Sequence, residues 1–152
     1  MARTEKAFSI MELLVVVLFL GILAFIAVPR MQTGILDRYK SETLAQKIVA
    51  DLQLTRNLAI TDAANNTEGF ALQMIGTSPY RSYNIVNLAT GQVVSTHTIH
   101  NNISCTSGSL FKFGPLGNLL AGSSTGLTVS AGGRTSAISI VAATGTVQCI
   151  EN

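Results

Sequence analysis

From Ala7 to Val28 the chain carries an apolar run in which Glu12 is the only charged side chain. A helix of about 20 residues, at 1.5 Å rise each, covers about 30 Å, so the run is long enough to cross a bilayer. A secretory signal peptide has a shorter apolar part and ends in a small-residue cleavage site. Ala27-Val28-Pro29-Arg30 is a poor site of that kind. Past the run, Ile35, Leu36 and Tyr39, then Leu44, Ala45, Ile48, Leu52, Thr55 and Ala59, recur at helical spacing. The expectation is a hydrophobic transmembrane helix over 8–29 that continues as an amphipathic helix over 30–61. Such a helix would be about 75 Å long, odd for a simple anchor but suited to a subunit that later enters a helical bundle.

Two residues qualify it. Pro29 lacks an N–H and clashes with the preceding turn, so a kink is expected there. Gly21 weakens a helix by about 1 kcal/mol relative to Ala. It serves either a close helix–helix contact or a point of flexibility, and the sequence does not separate the two.

The run also accounts for the composition. Hydrophobic residues make up 47% of the 152 residues and charged residues only 12%, about half the usual charged share. The length suits one ordinary domain. A net charge of +2 without a dense Lys/Arg patch gives no nucleic-acid footprint. Arg30, Arg38, Lys40, Lys47 and Arg56 alternate with Asp37, Glu42 and Asp51, which reads as a solvated helix face.

A carboxylate inside an apolar span costs about 2.5–3.5 kcal/mol, so Glu12 needs a reason. One is proximity to the interface, where it could snorkel. Its neighbours supply another. Lys6-Ala7-Phe8-Ser9-Ile10-Met11-Glu12-Leu13-Leu14-Val15-Val16-Val17 resembles the processing signal of type IV prepilins and type II secretion pseudopilins. In that family a short basic leader is cut before a residue that is usually Phe, and Glu lies four residues later. The resemblance implies a leader over 1–7, cleavage between Ala7 and Phe8 by prepilin peptidase, and N-methylation of Phe8. It departs at Ala7, where the family has Gly; Ala is the smallest replacement. It further implies that Glu12 guides assembly by pairing with the Phe8 amine of a neighbouring subunit. At about 4 Å and an effective dielectric near 20, that attraction is about 4 kcal/mol before desolvation.

Arg3 and Lys6 place the leader on the cytoplasmic side by the positive-inside rule, against Arg30, Arg38 and Lys40 beyond the run. The resemblance decides for an exported head. It implies a single-pass bacterial inner-membrane protein with its head in the periplasm. Its partners would be other pilin or pseudopilin subunits, the peptidase, the inner-membrane assembly platform and, before assembly, membrane lipid. The filament would then stand in the periplasm or at the cell surface.

From Asp62 the helical period stops, and 62–152 reads as a β-rich head. Phe70 to Ile75, Tyr83 to Leu88, Gln92 to Ile99, Leu110 to Phe113, Leu127 to Ser130, Ala137 to Val141 and Thr146 to Ile150 are candidate strands split by turn residues. The expected fold class is α+β: a long N-terminal helix, membrane-spanning in its first half, packed on an antiparallel β-rich head. The Gly-rich turns precede no helix and are not phosphate loops.

Three head segments carry a second, looser resemblance, to the minor pseudopilin H and FimT-like group. They are Leu54-Thr55-Arg56-Asn57-Leu58-Ala59-Ile60, Phe111-Lys112-Phe113-Gly114-Pro115-Leu116-Gly117 and Ile140-Val141-Ala142-Ala143-Thr144-Gly145-Thr146-Val147. DNA-binding members carry Gly-Arg-x-Arg where this chain has Gly145-Thr146-Val147-Gln148, which disfavours DNA as a partner.

Cys105 and Cys149 are the only cysteines. In an exported head a pair usually means a disulfide, which across about 44 residues would contribute about 4 kcal/mol. Two buried thiols are the other reading, because sequence cannot bring their Cα atoms within about 7 Å. His97 and His100 fall on a predicted strand at a spacing that points them to opposite faces, with no third ligand for zinc. No nucleophile elbow is visible. The sequence therefore reads as a structural subunit rather than an enzyme, with no cofactor. It would be a minor pilin or pseudopilin of a type IV pilus or type II secretion pseudopilus, with a DNA-capturing minor pilin or a major shaft pilin as alternatives.

Overall fold

The computed structural model describes the backbone of residues 10–151 and the side chains of residues 10–25 and 39–150. The backbone is helical in α1, Ile10–Thr61. Eight strands follow: β1 (Phe70–Ile75), β2 (Ser82–Asn87), β3 (Val93–Thr98), β4 (Ser104–Thr106), β5 (Leu110–Phe113), β6 (Gly126–Ala131), β7 (Arg134–Val141) and β8 (Thr146–Glu151). They form two antiparallel four-stranded sheets, ordered β3-β2-β1-β5 and β4-β6-β7-β8.

Among the described residues of the helix, only the C-terminal stretch packs on the sheets. Ala45, Ile48, Leu52, Thr55 and Ala59 are fully buried, spaced by three and four residues, so they form one stripe. Thr55 keeps its hydroxyl in that stripe by bonding back to Asp51 O at 2.6 Å. The stripe meets β1 and β5 of the first sheet and β6, β7 and β8 of the second. Strand alternation supplies the facing layers: Tyr83 and Ile85 on β2, Leu127 and Val129 on β6, Ile138 and Ile140 on β7. Each such side chain contributes about 1.5–3 kcal/mol when fully buried.

The helix ends in a turn in which Asp62 O accepts from Asn65 N and Asn66 N. Asn66 then pins the loop into β1. Its Oδ1 accepts from Gly69 N at 2.8 Å and Glu68 N at 3.1 Å, and its Nδ2 donates to Gly69 O and to Asn87 Oδ1. A buried Asn is tolerated here because both ends of its amide are satisfied.

The expected fold class is corrected in its helical part. Among the described residues no helix is long and apolar enough to cross a membrane. The membrane-spanning first half of the helix, the transmembrane anchor and the single-pass inner-membrane placement fall with it. What stands is α+β content dominated by antiparallel sheets.

The expected disulfide is corrected as well: Cys105 and Cys149 are not bonded to each other. The reason is sheet order. Cys105 lies on β4 and Cys149 on β8, the two outer strands of the second sheet, with β6 and β7 between them. Three strand spacings separate them by about 14 Å, twice the reach of a disulfide.

Candidate functional site

Three features hold chemistry or surface beyond ordinary packing. The first is the helical stretch from Ile10 to Phe25. Its large apolar side chains are exposed on every side, from Ile10 at 80% and Leu18 at 64% to Phe25 at 84%. Glu12 is its only charged side chain and is exposed too. A side chain at Gly21 would meet nothing within 4 Å among the described residues. Ala7 and Phe8, the expected cleavage and methylation positions, lie outside the described residues, as does Pro29, the expected kink.

The second feature gathers the three segments of the looser resemblance. Arg56, on the helix, donates its Nε–H to Gly117 O at 3.1 Å and to Thr144 O at 3.2 Å. Gly117 ends the turn after β5, and Thr144 sits in the β7–β8 turn. The helix is thereby tied to a loop from each sheet. Gly145 and Gly117 make this possible, with φ of +65° and +78°. A Cβ on Gly145 would collide with Gly117 O, and one on Gly117 would lie 2.7 Å from Ile60 Cδ1. Gln53, Arg56, Asn57, Gly145, Thr146 and Val147 line a polar cleft of about 270 Å³ beside the tie. Arg56 is thus no member of a solvated face, as its charge pattern had suggested.

The third feature is a partly buried polar contact between helix and sheet. Tyr83, fully buried on β2, donates its hydroxyl to Asp51 Oδ2 at 2.6 Å. His97 Nε2 lies 3.6 Å from the same oxygen and carries charge only when protonated. The Tyr83 and His97 rings lie 5.1 Å apart. Burial pushes the Tyr83 phenol well up, reinforced by its bond to Asp51 and by that carboxylate's charge. It therefore stays a donor across the physiological range. Sequence reasoning missed this cluster by assigning Asp51 to the solvated face. The signal was there: Asp51 is three residues after Ile48 and four before Thr55, on the flank of the buried stripe.

The expected site residues do not converge. Cys105 is buried in the core, and burial pushes its thiol up to about 11 against the opposing charge of Arg81. Cys149 is exposed on an outer strand. His97 faces Asp51, whereas His100 lies past β3 and lines a groove with Tyr39, Lys40, Thr43, Leu44, Lys47, Thr98 and Ile103. Among the described residues no three His, Cys, Asp or Glu side chains are placed to hold a metal ion. Comparison with family models, with curated proteins and with solved structures returns no match for this chain.

Proposed function

We propose that the chain is a structural subunit of a pilin-like filament, assembled by packing its apolar helical stretch against those of other copies. The observation that carries this reading is the exposure of Ile10 to Phe25 on all sides. A helix that is apolar all round is a buried element, and within one copy no described residue buries this one. Covering Leu14, Leu18 and Phe25 in a helical bundle contributes about 1.5–3 kcal/mol each, enough to hold copies together. The head, with its own core and its own tie to the helix, is built to ride on such a bundle. The processing motif around Phe8 and Glu12 is of the kind that precedes helix-driven assembly.

The test is the association state of the full chain. Sedimentation velocity and electron microscopy should show long assemblies at micromolar concentration. Leu18→Asp, which buries a carboxylate among neighbouring helices, should abolish them while the circular dichroism of the head stays unchanged. A chain that stays monomeric at every concentration would refute the proposal.

A further inference from the structure

An apolar groove of about 390 Å³ lies where the helix meets the end of β3, lined by Tyr39, Lys40, Thr43, Leu44, Lys47, Thr98, His100 and Ile103. Its walls are mostly apolar, yet its rim carries two lysines and no acid. Lys40 and Lys47 are both exposed, and neither forms an ion pair with a described residue. Seven residues apart on a helix, they lie on one face about 10 Å from each other, with Thr43 and Leu44 between them. The surface therefore asks for an apolar strip bearing one negative charge.

The chain itself contains that strip. Glu12, Val15, Val16 and Phe19 follow one another at helical spacing on one face. Val15 and Val16 are half exposed and Phe19 is 60% exposed. Glu12 is the only charge between Ile10 and Phe25. We infer that this groove is the docking site for the apolar helix of a second copy. Glu12 of one copy sits between Lys40 and Lys47 of the other, and Val15, Val16 and Phe19 lie against Leu44, Tyr39 and Ile103. The inference rests on the filament reading above and adds to it a defined contact and register. A register slip would leave Glu12 among apolar side chains without a cation, which is why one carboxylate can set the stagger of the copies. The cation in this contact belongs to the chain as synthesised, so the contact forms whether or not a new N-terminus is made at Phe8.

Two measurements on the full chain test it. Tyr39 is replaced by photoreactive p-benzoylphenylalanine, an aromatic swap at an exposed position, in a mixture of isotope-labelled and unlabelled copies. Irradiation should cross-link position 39 of one copy to residues 10–25 of the other, as read by mass spectrometry. In parallel, the double change Lys40→Glu with Lys47→Glu should weaken association about tenfold, and adding Glu12→Lys should restore it. If copies assemble but the cross-links fall outside residues 10–25, or the double change leaves association unaltered, the groove is not the docking site and the filament reading stands without it. If wild-type copies never associate, both fall. The cross-link is read with both lysines in place, so a poorly folding charge variant does not blunt the test.

Discussion

Arg56 and Gly145 fix one another: the arginine's Nε–H reaches the carbonyl of Thr144 next door, and only glycine at 145 lets that turn press against Gly117 O. One helix side chain thus closes two loops that belong to different sheets.

Arg56→Ala should remove both hydrogen bonds at once and lower head stability by about 1–2 kcal/mol, the lower range for a half-exposed charged donor. Arg56→Lys should recover little, because a single ammonium cannot reproduce the guanidinium's planar donor. Urea unfolding followed by circular dichroism measures both. A stability equal to wild type for Arg56→Ala would mean that the loops hold themselves.

Gly145→Ala should cost more than about 1 kcal/mol, since it adds a collision with Gly117 O to the strain of a positive φ. Gly133→Ala is the control. Its φ is +79°, but a Cβ there meets nothing within 4 Å. Equal losses in the two variants would show that conformation alone, not the close approach, matters at 145.

Tyr83→Phe should leave Asp51 with His97 as its remaining polar neighbour and cost about 1–3 kcal/mol. Adding Asp51→Leu should cost less than the sum of the two single changes, because the double variant leaves no polar group stranded. Additive losses in a double-mutant cycle would argue against direct coupling.

Alkylation of the folded chain should modify Cys149 quickly and Cys105 only on unfolding, and reductant should change neither the mass nor the pattern. Cys105, whose thiol is pushed up to about 11 by burial in the fold, also sets a pH dependence. Its contribution is complete below about pH 9 and is lost as pH rises to about 11, because the unfolded thiol gives up its proton first. Stability should therefore decline across that window, with a shallower slope in Cys105→Ala. The same slope in both would assign the decline to other groups.

Much of the head was legible because its signals are local. The buried stripe from Ala45 to Ala59 repeats every three or four residues, and the longer strands alternate between glycine-bearing turns. β4 escaped notice because three residues, Ser104–Thr106, are too few to show a period. The disulfide expectation failed on non-local information: strand order within a sheet decides whether two outer cysteines meet, and nothing near Cys105 or Cys149 encodes it. The membrane expectation rested on hydropathy along the chain, whereas among the described residues no helix is long and apolar enough to cross a membrane. The loose motif segments proved to be spatial neighbours, yet sequence gave no hint that Arg56 joins them through backbone carbonyls.

The tie at Arg56 also sets an order of events during synthesis. Its partners lie 61 and 88 residues further along the chain. At about 5–20 residues per second, some 4–18 s pass between making Arg56 and making Thr144. Throughout that interval the apolar stretch is already made, while the head that it will carry cannot yet close. A nascent chain of this design is therefore most exposed to misassociation before its last two strands arrive, and any factor that shields Ile10 to Phe25 has to act during translation rather than after it.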